Sequence, residues 1–480
     1  MSKIKFNLTE KHEISPYLYM QFMEPLGNAD PSVDAAWDFE NDDWFPQVVD
    51  IIKHLSPTMI RFGGCFASYY HWKEGIGPQN MRVPMRNLCW EGKYLNQVGT
   101  HEFLDLCRRV GAEPLLNVNM ETEGVKIWQY PKNDTIRLGT ADEAAEWVDY
   151  CNNPDNALRK AYGYEAPYNV KYWQVGNETS YKLLGTQWLS ADENRDMCRR
   201  FARKMKAVDP SIKIIGWGDY DHDGDLTWPS KISQVDEVDI VAFHHHPRAD
   251  KGSPLYDINY RKDMGAAWDA LMKAPTEVED HLKQIRNDVG NKRIAMTEGH
   301  YCVPGRNRNE LLSTWAVGVS YAVWHNMLMR HSDVLDIATM ADFIGTVWQC
   351  NAVLMTAPMW DNGKCYLQPV GEIMRLFRAH QGKKALEIFY DGSIDAVASV
   401  TDNKIFLHVA NTSMDKAESI TFDLGGREIL EGKMFCIDAD PETEITPETI
   451  GCFDETVFTF TGNTVTLPKA AVAAIEITLR

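Results

Sequence analysis

No stretch of the 480-residue chain approaches 18 uninterrupted apolar residues, and its first ten residues lack the apolar core of a signal peptide. The chain also lacks a basic stripe: 49 Lys and Arg face 68 Asp and Glu, for a formal net charge of −19. A phosphate backbone would therefore be repelled. These absences argue against a membrane-spanning, exported or nucleic-acid-binding protein, and we expect a cytoplasmic one with neither a membrane nor a nucleic-acid partner.

The ten cysteines are dispersed and never form a C-x-x-C pair. This spacing fits neither a zinc framework nor a small disulfide scaffold, so it predicts reduced thiols, several of them core residues. A phosphate-binding G-x-x-x-x-G-K-[ST] loop is absent as well. The one surplus is tryptophan, with 15 residues, which serves equally well as a sugar-stacking surface or as core.

Between about residues 16 and 345, short apolar runs alternate with longer amphipathic stretches, as strands alternate with crossover helices. The eight runs are Tyr17–Met23, Thr58–Phe62, Glu113–Val118, Val170–Val175, Ile212–Gly216, Ile240–Phe243, Arg293–Thr297 and Val334–Met340. The helix candidates include Phe45–Leu55, Thr100–Gly111, Ala141–Cys151, Ala191–Val208 and Leu311–Met329. Eight strands each followed by a helix predict an α/β fold, a (β/α)₈ TIM barrel, over residues 16–380.

From about residue 381 the pattern changes to short alternating segments separated by turn-forming residues. These segments are Ala396–Val400, Ile405–Asn411, Ser419–Leu424, Thr456–Phe460, Thr464–Leu467 and Val472–Thr478. They predict a C-terminal antiparallel β-sandwich of jelly-roll type over residues 381–480. Residues 1–15 alternate in the same way, and we expect them to add a strand to that sandwich.

In a TIM barrel the active site forms at the carboxyl ends of the strands, so the polar residues that end the apolar runs carry the functional information. Those residues are Glu24, Arg61 to Cys65, Asn117, Asn119, Asn177, Glu178, Asp219, His244 to His246, Glu298 and Asp342. They predict a barrel mouth rich in carboxylates and amides.

Two glutamates at these strand ends form a chemically distinctive pair. Glu178 ends the fourth predicted strand directly after Asn177, and Glu298 ends the seventh, so the two face each other across the mouth of the barrel. One strand-terminal glutamate is usually a solvated or salt-bridged residue. Two in this arrangement suit retaining glycoside hydrolysis, in which one carboxylic acid protonates the leaving oxygen while a carboxylate about 5 to 5.5 Å away attacks the anomeric carbon.

Longer strings of residues resemble one family. The sequence around Asn177-Glu178 looks like the acid/base signature of clan A retaining glycosidases. The segments starting at Gln21, Arg61, Gly99 and Glu146 are similar to glycoside hydrolase family 51, the α-L-arabinofuranosidases. The block from Arg61 to Pro78 is the most specific, because generic barrel packing does not require it. The resemblance spans essentially the whole chain, including the C-terminal sandwich.

The resemblance implies an activity and two catalytic roles. The activity is exo removal of terminal non-reducing α-L-arabinofuranosyl residues from oligosaccharides by double displacement, with no cofactor. Glu178 would be the general acid/base and Glu298 the nucleophile. The resemblance also implies a homo-oligomer, with a hexamer as one form.

The resemblance further implies a set of substrate-binding residues. Asn177 would hold the sugar 2-hydroxyl, and Glu24 would accept hydrogen bonds from furanose hydroxyls. Cys65 occupies a position that is Asn or Cys in the family, and His244 matches a histidine that contacts and orients the nucleophile. The remaining two candidates, His246 and Asp342, stand at sugar-contacting positions.

Several residues depart from the family pattern. Gly299 follows the nucleophile where Trp is usual, Asp342 replaces a Gln, and His246 replaces an aromatic residue. The usual glycine-rich loop after the third strand carries Glu121 and Glu123 instead. These departures leave open the same mechanism on a β-D-galactofuranoside, a β-D-xyloside or a β-glucan. A non-catalytic carbohydrate-binding protein is the other alternative, although Asn177 and both glutamates are present.

We expect no bound metal. Because consecutive strand residues point to opposite faces, only His244 and His246 of the histidine run share a face. The run from Asp219 to Asp225 resembles the start of an EF-hand loop, but Ser230 stands at the twelfth position, where a bidentate Glu is required.

Overall fold

The computed structural model describes residues 2–87, 89–120, 139–181, 189–220, 224–303 and 310–480. Eight parallel strands pair in chain order around a barrel. They are Met20–Met23, Met59–Phe62, Glu113–Val118, Tyr172–Val175, Lys213–Trp217, Ile240–His245, Arg293–Gly299 and Leu335–Ala338, numbered here as barrel strands 1 to 8. A parallel bridge between Tyr17 and Ile337 closes the ring. The expected (β/α)₈ barrel is confirmed.

Helices surround the barrel. The longer ones are Pro46–Leu55, Thr100–Val110, Ala141–Asn152, Ala191–Val208, Met264–Asp288, Trp315–Arg330 and Pro369–Ala379, and the shorter ones are Ser32–Ala36, Ala157–Ala161 and Trp228–Ile232. Ala191–Val208 begins where the sequence predicts, because Ser190 and Glu193 form a capping box. None of the helices among the described residues has both the length and the apolar character that crossing a bilayer requires.

The helix before barrel strand 8 begins later than the sequence pattern predicts. Residues Glu310–Ser313 form a 3₁₀ turn, and the α-helix begins at Trp315 rather than at Leu311. The backbone N–H of Trp315 donates to the carbonyl of Thr443, which lies in the C-terminal domain. This long-range contact satisfies a helix N-terminus, and nothing in the local sequence signals it.

A separate strand follows barrel strand 8. Leu335–Ala338 pairs with barrel strand 7, and a separate strand, Asp342–Gly345, pairs with Phe22 of barrel strand 1. The sheet continues from it through Asn351–Met355 and Cys365–Leu367. Barrel strand 8 lies within the predicted run Val334–Met340, and Asp342, predicted at the end of that run, begins a separate strand.

The C-terminal strands form an antiparallel β domain. They are Lys384–Tyr390, Ile394–Thr401, Lys404–Asn411, Glu418–Asp423, Ile429–Ile437, Thr456–Phe460, Thr464–Leu467 and Val472–Leu479. The N-terminal strand Ser2–Asn7 lies between Lys384–Tyr390 and Glu418–Asp423. The sequence pattern missed Lys384–Tyr390 and Ile429–Ile437, because their inward and outward residues do not alternate cleanly between apolar and polar.

Contacts from one barrel helix hold the two domains together. Trp315 of helix Trp315–Arg330 is fully buried, and its indole N–H donates to the carbonyl of Ala470 at 2.7 Å. Asn326 of the same helix donates a hydrogen bond to the Asp395 carboxylate at 2.8 Å. Since this helix directly precedes barrel strand 8, the C-terminal domain is anchored to the half of the barrel that carries Glu298 and Asp342.

Candidate active site

Two buried glutamates meet at the carboxyl end of the barrel. Glu298 is the sixth residue of barrel strand 7, and Glu178 follows barrel strand 4 in a left-handed conformation with φ of 51°. Their exposed fractions are 6% and 8%. One carboxylate oxygen of each lies within 4.8 Å of the other. This separation matches the close carboxyl pairs of retaining glycosidases, about 5 to 5.5 Å apart, and leaves no room for the water that an inverting enzyme places between its carboxyls.

A fully buried arginine links this pair to the neighbouring amide. Arg61 lies in barrel strand 2, and its Nη1 is 2.8 Å from Glu298 Oε1. Its Nη2 donates to Asn177 Oδ1 at 2.5 Å. The NH₂ group of Asn177 donates at 3.9 Å to Cys65 Sγ, and its second N–H is the donor that remains for a ligand.

His244 lies between the two glutamates. Its Nδ1 is 3.0 Å from Glu178 Oε1 and 3.6 Å from Glu298 Oε2, while its Nε2 is 2.9 Å from Thr297 Oγ1. Burial lowers the pKa of His244 to about 4, so the imidazole is neutral at pH 7. The family resemblance implies a contact between His244 and the nucleophile Glu298. That contact is present but is longer than the contact between His244 and Glu178.

Asp219 fixes the backbone of His244. Its Oδ2 accepts the His244 backbone N–H at 3.1 Å and the Tyr181 hydroxyl at 2.8 Å, and its Oδ1 lies 2.7 Å from His281 Nε2. Burial acts to raise the pKa of Asp219, but the charge of His281 and these hydrogen bonds outweigh it, and the pKa is lowered. Residues 221–223 of the aspartate-rich run lie outside the described residues.

Glu24 directly follows barrel strand 1 and also lines the site. Its Oε1 accepts hydrogen bonds from the Phe66 backbone N–H at 3.0 Å and from the Trp90 indole at 2.8 Å. Burial raises the pKa of Glu24 to about 7. Gly64 has φ of 108°, and a Cβ there would lie 2.2 Å from Glu24 Oε2, so only glycine fits this close approach. The thiol of the next residue, Cys65, donates a hydrogen bond to Glu178 Oε2 at 3.2 Å.

Three carboxyl groups thus share one buried pocket. Burial raises the pKa of Glu298 well above its usual value; Arg61 opposes this shift, while the charges of Glu178 and Glu24 add to it. Ionising all three carboxyls together is costly in such a site. Arg61, which contacts Glu298 directly, is the group that opposes this shift and stabilises the ionised form of Glu298.

The remaining two predicted residues form a side wall next to Glu298. The rings of His246 and His300 lie 4.3 Å apart, and His300 Nε2 is 3.4 Å from Asp342 Oδ1. The structure therefore brings all eight predicted site residues to one end of the barrel, with Asp342 joined through His300. Glu121 and Glu123 lie outside the described residues.

The sequence alone did not identify several residues that hold the site. Arg61 was assigned only to a strand end, although a charge flanked by Ile60 and Phe62 inside a buried strand is itself a signal of an ion pair. Trp90 and His300 carried no such signal, because each reaches the site only through the tertiary fold.

The buried ion pair leads to a stability prediction. We expect Arg61→Met to lower the free energy of unfolding by about 3 to 5 kcal/mol, because Glu298 would keep a buried charge without its partner. The double variant Arg61→Met/Glu298→Gln should recover most of that loss. Urea unfolding of the two variants checks this. The control is Arg195→Met, which breaks partly exposed pairs with Asp192 and Asp196 and is expected to cost at most about 1 kcal/mol. A single variant as stable as the unmodified protein would contradict the prediction.

Known proteins match both parts of the chain. Residues 51–261 match a family model described as the α-L-arabinofuranosidase 1 domain, and residues 299–470 match the α-L-arabinofuranosidase C-terminal domain. The chain is 30% identical over 388 residues to the intracellular exo-α-(1→5)-L-arabinofuranosidase 1 of Bacillus subtilis, a match that covers 75% of this chain and 71% of the relative. It is 28% identical to a probable α-L-arabinofuranosidase C of Aspergillus flavus, over 70% of this chain and 67% of the relative.

Solved structures share the fold. A crystal structure of α-L-arabinofuranosidase from Thermotoga maritima in complex with arabinose superimposes with a TM-score of 0.76 and 24% identity, and the match covers 100% of both chains. The likeness therefore extends over the barrel and the C-terminal β domain together.

Proposed function

The chain belongs to the α-L-arabinofuranosidases of glycoside hydrolase family 51, and we propose that it is a retaining exo-glycosidase that removes terminal non-reducing α-L-arabinofuranosyl residues from oligosaccharides. The observation that carries the proposal is the buried pair of Glu178 and Glu298, with carboxylate oxygens within 4.8 Å of each other. The chemistry that this spacing suits is a double displacement.

In the first step, Glu298 attacks the anomeric carbon while Glu178 delivers its proton to the departing oxygen. The C–O bond to the leaving group breaks, and an ester bond forms between the sugar and Glu298. In the second step, Glu178 removes a proton from water, which attacks the same carbon and releases Glu298. The anomeric configuration is inverted twice and is therefore retained.

The surrounding contacts support the division of roles. Arg61 favours the ionised form of Glu298, as a nucleophile requires. Cys65 and His244 hold the two oxygens of Glu178. The NH₂ group of Asn177, which makes one long contact to Cys65 Sγ at 3.9 Å, would bind the sugar 2-hydroxyl, a contact that strengthens as positive charge develops on the sugar ring.

The identity of the sugar depends on the side wall of the site, which contains His246 and Asp342. His246 and Asp342 replace residues that usually contact the sugar. The sugar hydroxyls with which they form hydrogen bonds would therefore decide which sugar the enzyme selects. A panel of aryl glycosides tests this: we expect the highest kcat/KM on the α-L-arabinofuranoside. A higher value on a β-D-galactofuranoside, a β-D-xyloside or an aryl β-glucan oligosaccharide would keep the mechanism and overturn the sugar. Tight sugar binding with no hydrolysis of any member would favour the non-catalytic alternative.

Location and assembly complete the proposal. We place the enzyme in the cytoplasm, supported by the intracellular relative of Bacillus subtilis. We also propose that it forms a homo-oligomer, a hexamer being one form, on the strength of the family resemblance. Size-exclusion chromatography with light scattering measures the assembly directly.

A further inference from the structure

A second cluster of chemically active side chains lies beside the catalytic pair and takes no part in the mechanism above. His300, Asp342 and Cys350 each offer one atom to a group whose members all lie within 4.8 Å of one another. Their exposed fractions are 7%, 5% and 0%. His300 directly follows barrel strand 7, Asp342 begins the strand that pairs with barrel strand 1, and Cys350 immediately precedes strand Asn351–Met355.

Within this cluster, a ring nitrogen of His300 faces a carboxylate oxygen of Asp342. His300 Nδ1 lies 3.1 Å from the carbonyl oxygen of Tyr301 and donates to it, so Nε2 is the ring nitrogen that faces Asp342. That nitrogen is 3.4 Å from Asp342 Oδ1, a buried oxygen with no hydrogen-bond partner among the residues that the structure describes. A cation bound between these two atoms would satisfy both the ring nitrogen and the carboxylate oxygen.

The distances fit a tetrahedral ion. With zinc bonds of about 2.0 to 2.2 Å to nitrogen and oxygen, two ligands at a tetrahedral angle lie about 3.3 to 3.5 Å apart. The His300 to Asp342 distance of 3.4 Å equals such an edge. Cys350 Sγ lies 3.3 Å from the other oxygen of Asp342, so the thiol reaches the same carboxylate.

We propose that His300, Asp342 and Cys350 bind one Zn²⁺ ion per chain. The ligands are His300 Nε2, one carboxylate oxygen of Asp342 and the thiolate of Cys350, whose proton passes to solvent when the metal binds. The carbonyl of Tyr301 fixes the tautomer of His300, as the partners of metal-binding histidines commonly do. Three protein ligands leave the fourth position to a water molecule or a sugar hydroxyl.

The catalytic cluster is the weaker competitor for the ion. Glu178, His244, His246 and Glu298 also lie within 4.8 Å of one another. In that group both ring nitrogens of His244 are engaged, Nδ1 with Glu178 and Nε2 with Thr297. One oxygen of Glu298 is held by Arg61, whose positive charge repels a cation. The second cluster has a thiol ligand and no such contact with a guanidinium among the described residues.

Metal titration of the full-length chain tests the proposal. After treatment with a chelator, we expect the protein to bind one Zn²⁺ per chain by calorimetry, and one Co²⁺ with an intense thiolate-to-cobalt absorption band in the near ultraviolet. Cys350→Ser should lose this band and bind Zn²⁺ at least about 100-fold more weakly. Cys107→Ser, which alters a buried thiol on helix Thr100–Val110, should leave both signals unchanged.

Three results would overturn the proposal. One is no stoichiometric binding of either ion by the unmodified chain, which would leave His300 and Asp342 as an ion pair. Another is unchanged binding by both Cys350→Ser and Asp342→Asn variants that retain the circular dichroism of the parent. The third is binding that is lost in His246→Ala but kept in Cys350→Ser, which would place the ion in the catalytic cluster. All three results concern metal binding and not glycoside hydrolysis. A failure of this proposal can therefore be distinguished from a failure of the proposed function.

Discussion

Replacing Glu298 with Ala or Gln is expected to abolish hydrolysis of an aryl α-L-arabinofuranoside, with kcat falling by about 10⁵- to 10⁶-fold, as when the nucleophile of another covalent mechanism is removed. The physical reason is that neither side chain can form the ester on which the double displacement depends. The measurement is steady-state release of the aryl group. Glu298→Gln is the sharper of the two variants, because the amide oxygen still accepts a hydrogen bond from Arg61 and preserves the shape of the site.

A loss of folding would imitate this result, so each variant needs a structural readout. Glu298→Gln should retain the circular dichroism of the parent and still bind arabinose. Glu146→Gln, which alters a half-exposed helix residue paired with Lys73, is the matched control and should keep full activity. Full activity in both Glu298 variants would refute the assignment of the nucleophile.

Replacing Glu178 with Gln is expected to reduce kcat/KM by about 10²- to 10⁴-fold on substrates with poor leaving groups, the usual contribution of a general acid. On a dinitrophenyl glycoside the fall should be much smaller, because that leaving group departs without a proton. The second step then lacks its base, so the sugar ester on Glu298 should accumulate. Added azide, which needs no deprotonation, should restore turnover. The comparison of aryl substrates with and without azide measures this.

The leaving-group dependence separates catalysis from structural damage. A distorted site would slow every substrate to a similar degree, and azide would not accelerate any of them. An equal fall for good and poor leaving groups would therefore contradict the role of Glu178 as acid/base. Cys65→Ala offers a milder comparison, since it removes the thiol that donates to Glu178 while keeping the carboxyl.

Patterns that repeat along the chain predicted the barrel. All eight of its strands overlap apolar runs that alternate with helical stretches, and the capping box at Ser190 marks the start of one helix. The strand that follows barrel strand 8 was not predicted. Leu335–Ala338 pairs with barrel strand 7, whereas Asp342–Gly345 pairs with barrel strand 1. Long-range pairing of this kind leaves no trace in local periodicity.

The candidate site was predictable where chemistry coincides with a strand end. Glu178 and Glu298 met that condition, and the fold brings them together. The residues that tune them did not: Arg61 lies inside a strand, and Trp90 reaches Glu24 from a loop. Their roles depend on distances across the barrel, which one-dimensional spacing does not encode.

The three carboxyls of the pocket also explain why one arginine is so deeply buried. Burial raises the pKa of Glu24 to about 7 and that of Glu298 well above its usual value, so negative charge in this site is costly. The guanidinium of Arg61, in contact with Glu298, opposes that shift at the carboxyl that must attack the sugar. The same burial keeps His244 neutral beside Glu178.

Trapping of the covalent intermediate tests the central claim most directly. A 2-fluoro arabinofuranoside with a good leaving group slows both steps but the second one more, so the sugar ester accumulates. We predict that the intact mass of the protein rises by one fluorinated sugar, that peptide mapping places the sugar on Glu298, and that Glu298→Gln acquires no label. A label on any other residue, or hydrolysis of the unmodified substrate with inverted configuration, would contradict the double displacement proposed for this site.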